Sequence, residues 1–350
     1  MKYPHLSEIA SLRKVGLISA RLHPTLPLTV YNYTAKAQHL PISEWTPVLS
    51  DCRGLILDAA GEIVARPFPK FWNYDQVLNR IPASETFTIS EKLDGSLGVV
   101  CAYHGNLIVA TRGSFESEQA KWAAEWFRTT AFGHYGAWRP TEGLTYLFEI
   151  VYPDNRIVVD YHGRKECVLL ETLDVHGKSH PHTAIVSPFP KAQLYPSLNP
   201  AEIKPEMFPG EEGFVVRWES GFRAKIKMPE YVRLHRLITQ VSTRSIWDLL
   251  RSGQETPIED LLKGVPADFQ SWVIHQINEL KERQEYLISY AMLRAQRYPE
   301  FTDRKAFATW ALKQDHPSLI FAALDGKDVS DLEWKICEPK FSTPFRQEAE

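Results

Sequence analysis

The apolar residues of this sequence change their period near position 228, and this change constrains the fold more than any other feature. Between residues 50 and 228, short apolar runs separated by turn residues predict β-strands. Residues 230–251 and 268–294 instead repeat apolar side chains every three to four positions, which is typical of amphipathic helices. We therefore predict an α+β protein in which a mixed domain over residues 1–228 precedes an all-helical domain over residues 229–350.

Short apolar segments bounded by turn-forming residues define the elements of the first domain. The predicted strands are Gly54–Leu57, Glu62–Ala65, Leu97–Tyr103, Leu107–Thr111, Leu144–Val151, Cys167–Leu173 and Gly213–Trp218. His104-Gly105-Asn106 separates two of these strands and predicts a hairpin, whereas Glu116–Phe127 carries two tryptophans at helical spacing. Short helices are also expected around residues 303–314 and 330–337.

The composition is that of an ordinary globular protein, with 350 residues, 44% hydrophobic residues and a net charge of −3. This charge gives no support for a nucleic-acid partner, although a local basic patch matters more than the total charge. No apolar run approaches the length of a membrane span, and the N-terminal residues lack the apolar core of a signal peptide. We therefore expect a cytoplasmic protein with no membrane partner.

Neither the cysteines nor the histidines show the spacing of a metal site. The cysteines are predicted to be free thiols in the core, and they are Cys52, Cys101, Cys167 and Cys337. His180 and His182 are predicted to lie in a loop, and residues 347–350 to form a polar tail.

Lys92 is a charged residue in a segment that otherwise suits a strand, I-S-E-K-L-D-G-S-L-G at residues 89–98. The flanking residues suit a strand, and Asp94-Gly95 suits a turn, but neither explains the lysine. A lysine amine has an ordinary pKa of ~10.4 and becomes a nucleophile at neutral pH only when burial or nearby positive charge lowers that pKa. We therefore interpret Lys92 as a nucleophile with cations beside it.

Residues 222–228, F-R-A-K-I-K-M, are one source of such cations. Strand alternation places Arg223, Lys225 and Lys227 on the same face. Residues 213–218 and the turn at residues 219–221 complete a hairpin with this strand. The basic face could point inward, towards Lys92, or it could be a solvated face, which is the more common case for charged strand positions.

Other short motifs accompany Lys92 in a fixed order along the chain. They are Y-N-Y-T (31–34), C-R-G-L (52–55), K-F-W-N (70–73), T-R-G-S-F (111–115), Y-L-F-E (146–149), P-D-N-R-I-V-V-D-Y (153–161), E-E-G-F-V-V (211–216) and K-I-K (225–227). With K-L-D-G-S-L at residues 92–97, this order resembles the covalent nucleotidyltransferases, which include polynucleotide ligases and mRNA capping enzymes. The resemblance is closest to the phage-type RNA ligase 1 family.

This resemblance implies a fold and a reaction. The first domain would be a nucleotidyltransferase domain built on antiparallel sheets, with an ATP-grasp-like ligase fold. Lys92 would attack the α-phosphate of ATP and retain AMP, which then passes to an RNA 5′-phosphate before a 3′-hydroxyl displaces it. The expected partner is RNA with these two ends, a nicked tRNA being one candidate, and the protein is expected to act as a monomer.

The resemblance also implies phosphate and nucleotide contacts. Lys225 and Lys227 would contact the phosphate under attack, and Arg53 and Lys70 would contact the nucleotide. Arg112 lies where the family more often has lysine, so a bidentate guanidinium would replace a point charge. Trp72 could stack on a base or on adenine, or it could be a core tryptophan.

Carboxylates are expected to hold Mg²⁺, with Mn²⁺ as an alternative, because these ions prefer oxygen ligands. Glu149 and Glu212 match the acidic positions of the family, and Glu212 is preferred to Glu211 because it directly precedes the motif glycine. Asp94 would orient the nucleophile or a water on the metal. Gly95 would allow a tight turn or a close approach of the nucleotide. Each acid could instead be an ordinary surface residue.

Three other functions remain possible from the sequence: a DNA ligase, a capping-type guanylyltransferase, and a catalytically inactive RNA-binding relative. The first two place a small β-barrel after the last motif, whereas this chain turns helical after Lys227. Asn155-Arg156 could contact nucleotide or RNA, or could form a β-turn. We expect the helical domain to select the RNA.

Overall fold

The computed structural model describes residues 1–131, 138–179, 189–253, 262 and 265–342. Two compact units divide the chain, with their boundary between Arg233 and Leu234. The loop predicted at His180 and His182 and the tail predicted at residues 347–350 lie outside the described residues. None of the helices that the structure describes combines the length and the apolar composition that crossing a membrane requires.

The first unit is built mainly from twelve strands among the described residues. They are β1 (Ile18–Leu22), β2 (Leu28–Tyr33), β3 (Arg53–Asp58), β4 (Ile63–Ala65), β5 (Trp72–Asn73), β6 (Phe87–Lys92), β7 (Ser96–Tyr103), β8 (Asn106–Thr111), β9 (Leu144–Val151), β10 (Glu166–Asp174), β11 (Gly213–Trp218) and β12 (Arg223–Lys227). The helices are α1 (Leu6–Lys14), α2 (Ala35–Gln38), α3 (Pro47–Asp51) and α4 (Glu118–Trp126). The strands and the helix predicted from apolar patterns are confirmed, with ends that shift by a few residues.

These strands form three four-stranded sheets, in the orders β1-β2-β3-β4, β10-β9-β7-β8 and β5-β12-β11-β6. All pairs are antiparallel except β5–β12, which is parallel over two residues. The predicted hairpin between β7 and β8 is present, and positive φ angles at His104 (48°) and Gly105 (74°) form its tight turn. The prediction of a mixed α+β protein with antiparallel sheets is therefore confirmed, apart from the short parallel pair.

The core of the first unit lies on both faces of the second sheet. On one face, Val99 and Leu147 pack with Val30 and Ile56 of the first sheet. On the other face, α4 contributes Ala123 and Trp126, which pack with Val100 and Phe148. Both faces of this sheet are thus covered, so its strands read as nearly continuous apolar runs.

Every regular element that the structure describes after Lys227 is helical. These helices are α5 (Pro229–Gln240), α6 (Thr243–Arg251), α7 (Ala267–Ala295), α8 (Arg304–Ala311), α9 (Pro317–Leu324) and α10 (Ser330–Ile336). The prediction of one helix over residues 230–251 is wrong, because Ser242 begins a new helix by accepting a hydrogen bond from the N–H of Ser245 (3.1 Å). Helix α9 was not predicted; its apolar residues form a short, uninterrupted run without clear helical spacing.

Candidate active site

Three neighbouring strands of the third sheet bring Lys92 and Lys227 together. Lys92 ends β6 and pairs with Gly213 of β11, and Gly213 pairs on its other side with Lys227 of β12. Residues in one row across a sheet project to the same side, so the two lysines flank a position without a side chain. At Gly213, φ is 147° and a Cβ atom would lie 1.9 Å from the carbonyl oxygen of Ile226. Only glycine fits at the centre of this row.

Glu212, the residue before this glycine, joins the two lysines. Its Oε1 atom lies 2.6 Å from Nζ of Lys92 and 3.0 Å from Nζ of Lys227. Only 3% of Glu212 is exposed, so both ion pairs are shielded from solvent on the carboxylate side. A carboxylate therefore contacts the Lys92 amine directly, and the cation expected beside Lys92 shares that carboxylate.

The basic face of β12 is divided among three environments, and it is not a solvated face. Arg223 is 9% exposed and forms an ion pair with Glu171 (3.3 Å). Lys225 lies opposite Val215 and Asn73 and has no ion pair or hydrogen bond among the described residues. Burial, together with the charges of Lys227 and other nearby cations, lowers the pKa of Lys225 to about 7. Lys225 is therefore a half-buried amine that is partly uncharged at neutral pH.

Asp94 is buried and its carboxylate is saturated with hydrogen bonds. Oδ2 accepts from the backbone N–H groups of Val158 (2.8 Å) and Val159 (2.9 Å), and Oδ1 accepts from the Tyr231 hydroxyl (2.6 Å). The Asp94 N–H donates to the Tyr161 hydroxyl (2.7 Å). Burial and the nearby Glu212 raise the pKa of Asp94, whereas these hydrogen bonds oppose the rise. The contacts fix the turn after Lys92 and leave the carboxylate directed at neither the Lys92 amine nor Glu149.

Glu149 has no hydrogen bond or ion pair to any residue that the structure describes. It lies on β9 between Leu97 of β7 and Val168 of β10, and it is half-buried. Burial raises the pKa of Glu149 to about 8, which the charge of Lys92 opposes and that of Glu212 reinforces. Across the described residues, no three His, Cys, Asp or Glu side chains converge as a ready-made metal site. Glu149, Glu212 and Asp94 are thus near one another without forming a three-carboxylate cage.

Gly95 is required by close packing between strands. A Cβ atom at this position would lie 2.5 Å from the carbonyl oxygen of Ile150 and 3.1 Å from Cγ of Glu149. The glycine therefore allows the turn after Lys92 to press against β9 beside Glu149.

Lys70 lies among three aromatic rings, which we call the aromatic cage (Tyr33, Trp45 and Trp72). Its Nζ atom is 5.0, 4.7 and 4.6 Å from the centres of these rings, in that order. These distances are within the range of cation–π attraction. Burial lowers the pKa of Lys70, and the charges of Arg53 and Arg112 add to this effect. Trp72 is a half-buried wall of the cage that meets Trp45 edge to face at 5.2 Å, and its stacking on a base or on adenine stays a prediction.

Tyr33 is the point where the predicted nucleotide contacts meet. Its hydroxyl accepts a hydrogen bond from Nη1 of Arg112 (3.1 Å), and the Arg112 guanidinium lies 5.1 Å from the ring centre. Burial raises the pKa of Tyr33, but the charges of Arg53, Arg112 and Lys70 outweigh burial, and the pKa is lowered. Tyr33 and Trp45 were not predicted as site residues, although Tyr33 belongs to the Y-N-Y-T motif.

Arg53 begins β3 and lies over two phenylalanine rings. Its guanidinium carbon is 5.1 Å from the centre of Phe68 and 5.6 Å from that of Phe71. Its Nη1 atom is buried and has no hydrogen-bond partner among the described residues. A buried donor without an acceptor is costly, so a ligand that supplies an acceptor would relieve this cost.

Asn155 and Arg156 belong to a turn. Pro153–Asn155 forms a short 3₁₀ segment, and the buried Asn155 side chain accepts hydrogen bonds from Ser96 (3.1 Å) and Gln119 (3.2 Å). Arg156 forms an ion pair with Asp160 (3.3 Å). The segment therefore forms a tight turn, and its contact with nucleotide or RNA stays a prediction.

Residues 51–184 match the family model described as RNA ligase. Over these residues, the chain is similar to the RNA ligase family. The matched segment includes Lys92 and its turn as well as Arg53, Lys70, Arg112 and Glu149, whereas Glu212, Lys225 and Lys227 follow it.

Two relatives are also similar to parts of this chain. A protein of Autographa californica nuclear polyhedrosis virus, provisionally named bifunctional polynucleotide kinase/RNA ligase, is 27% identical over 217 residues, or 54% of this chain and 31% of that protein. A protein of Thermovibrio ammonificans, provisionally named RNA ligase, is 30% identical over 138 residues, or 37% of this chain and 35% of that protein. The matches span about one third of the length of these curated relatives.

Among solved structures, an archaeal ATP-dependent RNA ligase in its form 2 covers 81% of this chain and 79% of its own, at 15% identity and a TM-score of 0.47. The likeness to this structure therefore adds nothing to the sequence matches.

Proposed function

We propose that this protein is an ATP-dependent RNA ligase that joins 5′-phosphate and 3′-hydroxyl RNA ends through a covalent lysyl-AMP on Lys92. The observation that carries the proposal is the contact of Lys92 and Lys227 with one oxygen of Glu212, in a chain whose residues 51–184 match the RNA ligase family model. A nucleotidyltransferase domain over residues 1–228, with an ATP-grasp-like ligase fold, is part of the same proposal.

In the first step, the Lys92 amine attacks the α-phosphorus of ATP. A nitrogen–phosphorus bond forms, the bond from the α-phosphorus to the bridging oxygen breaks, and pyrophosphate leaves. The amine must give up its protons for this step, because an ammonium has no lone pair. Glu212 holds the amine at the end of β6, so the nucleophile has a fixed position before the nucleotide arrives.

Several cations of this chain are available to the phosphates. Lys225 has no partner among the described residues, and Arg53 carries a buried, unpartnered Nη1. Lys70 and Arg112 both contact Tyr33, Lys70 through the aromatic ring and Arg112 through the ring and a hydrogen bond to the hydroxyl. Fixed cations stabilise the charge that develops on phosphate oxygens during transfer. We assign the phosphate-binding role to these four residues with Lys227.

A divalent cation fits this site with Glu149 as its protein ligand. Mg²⁺ typically binds one or two carboxylates together with substrate phosphates and keeps several waters, so a three-carboxylate cage is not required. Glu149 is the carboxylate of this group without a hydrogen bond or ion pair among the described residues, whereas Glu212 is engaged by two lysines and Asp94 by three donors. The bound ion would act as a Lewis acid on phosphate oxygens. We propose Mg²⁺, with Mn²⁺ as an alternative, and assign Asp94 to positioning the turn after Lys92.

In the second step, an oxygen of the RNA 5′-phosphate attacks the phosphorus of lysyl-AMP, which breaks the nitrogen–phosphorus bond and frees Lys92. In the third step, the RNA 3′-hydroxyl attacks the activated 5′-phosphate, a phosphodiester forms, and AMP leaves. The proposed substrate is RNA with free 5′-phosphate and 3′-hydroxyl ends, and a nicked tRNA is one candidate. The helical domain over residues 229–350 is proposed to select this RNA.

The test is covalent labelling followed by end joining. Incubation with ATP labelled at the α-phosphate and Mg²⁺ should label the protein, Lys92→Ala should abolish the label, and the exposed-site control Lys121→Ala should retain it. The labelled protein should then join 5′-phosphorylated RNA but not matched DNA. A folded wild-type protein that stays unlabelled would instead be an inactive RNA-binding relative.

The same assays separate the remaining alternatives. Labelling by GTP in preference to ATP would indicate a capping-type guanylyltransferase, and joining of DNA in preference to RNA would indicate a DNA ligase. The helical elements after Lys227 argue against both, because those enzymes are expected to place a β-barrel there. A monomeric state and a cytoplasmic location remain predictions.

A further inference from the structure

Phe68 lies beneath the Arg53 guanidinium, and the role that we infer for it rests on the proposed function. Phe68 is 7% exposed and lies in the core shared by the first and second sheets. The guanidinium carbon of Arg53 lies 5.1 Å from the centre of its ring. Phe71 offers a second ring at 5.6 Å, and it meets Phe68 edge to face at 5.6 Å. The aromatic surface below Arg53 is thus made of two rings that support each other.

A second guanidinium competes for the same ring. The guanidinium carbon of Arg223, on β12, also lies 5.1 Å from the centre of Phe68. Two cations against one ring repel each other, and the charge of Arg53 is among the causes that lower the pKa of Arg223, after burial itself. A carboxylate is needed nearby to stabilise this arrangement.

Glu171 supplies that carboxylate to Arg223 and not to Arg53. Its Oε2 atom lies 3.3 Å from Nη2 of Arg223 and 3.0 Å from Nη1 of Arg217, and Glu171 is 6% exposed. In the part of the chain that the structure describes, no carboxylate forms an ion pair with Arg53. The position of Arg53 therefore depends on aromatic contacts and on Tyr33, and burial lowers the pKa of its guanidinium.

We propose that Phe68 is a positioning residue that holds the Arg53 guanidinium in place for a phosphate group of the bound nucleotide, with Arg223 of β12, which is paired with Glu171 of β10, also packed on the Phe68 ring. Phe68 touches no substrate in this proposal, and its effect on nucleotide binding passes through Arg53. The Phe68 ring attracts a cation without neutralising its charge, which a carboxylate in the same place would do. A cation held by an aromatic ring is thus oriented and still able to bind phosphate.

The test is a double-mutant cycle on nucleotide affinity. The probe is α,β-methylene-ATP with Mg²⁺, which cannot release pyrophosphate, and its Kd is measured by isothermal titration calorimetry. Phe68→Leu should raise the Kd by about three- to tenfold, as expected for the loss of one cation–π contact. In the Arg53→Met background, the same substitution should change the Kd less than about twofold, because the contact is already absent.

A matched control separates positioning from packing. Phe115 lies in the same core cluster and is 9% exposed, so Phe115→Leu removes a similar buried ring away from Arg53. This variant should lower the thermal midpoint to a similar extent and leave the Kd unchanged. An equal rise in Kd for Phe68→Leu in both backgrounds, or the same rise for Phe115→Leu, would overturn the inference.

Failure of the role inferred for Phe68 can be distinguished from failure of the proposed ligase function. Binding of α,β-methylene-ATP without any covalent labelling by ATP would overturn the ligase proposal but leave the Phe68 cycle interpretable. Failure of the wild-type protein to bind the nucleotide would overturn both.

Discussion

Lys92 and Lys227 contact one carboxylate oxygen, Oε1 of Glu212, from strands on either side of Gly213. The pairing places the proposed nucleophile and the proposed phosphate-binding lysine in one row of a sheet, and their shared anion belongs to the residue just before the central glycine of that row. It also means that an incoming phosphate meets lysines that are already oriented, since a hydrogen-bonded ammonium has lost most of its rotamer freedom before binding.

The first prediction concerns this shared anion. Glu212→Gln keeps the size of the side chain but removes the charge that holds both ammonium groups, so the rate of lysyl-AMP formation should fall about 100-fold or more. The neighbouring Glu211→Gln is the control, because Glu211 contacts neither lysine and its rate should stay close to that of the wild type. Single-turnover labelling with ATP measures both rates. Equal losses in the two variants would contradict the assignment of Glu212.

The second prediction concerns the glycine at the centre of the row. Gly213→Ala combines a φ of 147° with a Cβ atom 1.9 Å from the oxygen of Ile226, so the free energy of unfolding should fall by about 3 kcal/mol or more. Gly210→Ala is the matched control, because its φ is 84° and nothing lies within 4 Å of the added atom. That variant should lose only about 1 kcal/mol. Urea unfolding of both variants measures the difference, and similar losses would show that the contact with Ile226 relaxes freely.

The third prediction concerns the pH dependence of stability at Lys225. Its pKa is lowered to about 7 in the folded state, whereas an unfolded lysine has a pKa of ~10.4. The folded state therefore binds fewer protons between these values, and the destabilisation from Lys225 is largest below pH 7 and disappears as the pH rises towards ~10.4. Lys225→Met should stabilise the protein by about 1–3 kcal/mol at pH 6 and by less at pH 9.

Lys227→Met is the control for this pH dependence. The same substitution two residues along β12 removes a partner of Glu212 and should destabilise the protein. Thermal unfolding at the two pH values measures both variants. A gain from Lys225→Met that is larger at pH 9 than at pH 6 would contradict the direction of the pKa shift.

The fourth prediction follows from the same lysine and concerns nucleotide binding. At pH 8, Lys225 is mainly uncharged in the free protein because its pKa is about 7. A phosphate beside it favours the ammonium and raises the pKa, so binding of α,β-methylene-ATP should take up to about one proton from the buffer. Calorimetric titration in buffers of different ionisation enthalpy measures this number, which should fall in Lys225→Met. An enthalpy that is identical in every buffer would contradict the prediction.

The fifth prediction separates the carboxylates by their response to metal. Glu149→Gln should raise the Mg²⁺ concentration for half-maximal labelling about tenfold or more, because it removes a free carboxylate oxygen from the ion. Asp94→Asn should leave that concentration nearly unchanged while lowering the free energy of unfolding by about 2–4 kcal/mol, because an amide group would face the N–H donors of Val158 and Val159. The reverse pattern would identify Asp94 as the metal ligand.

The strands that carry the row could be predicted because alternation is a local signal. Lys225 and Lys227 share a face by their spacing alone, and Gly213 and Trp218 bound a short, mostly apolar run that is typical of a strand. The position of Glu212 against the Lys92 amine could not be predicted in this way, because it depends on the register of β6 with β11. That register joins segments far apart in the chain.

The aromatic cage shows a second limit of local reasoning. Trp45 precedes α3, Tyr33 ends β2 and Lys70 precedes β5, so no single window of sequence contains the contacts among them. The break before α6 was missed for a different reason: apolar spacing continues across it, and only the capping of Ser245 by Ser242 reveals a new helix.

The aromatic cage also gives the protein an optical property. Two indole rings meet edge to face at 5.2 Å with an ammonium group within 4.7 Å of each, so their emission should report on where that ammonium is. An anion that draws Lys70 towards itself would change the surroundings of both indoles at once. Binding of an anion beside the aromatic cage could then be followed by intrinsic fluorescence, in real time and without a labelled ligand.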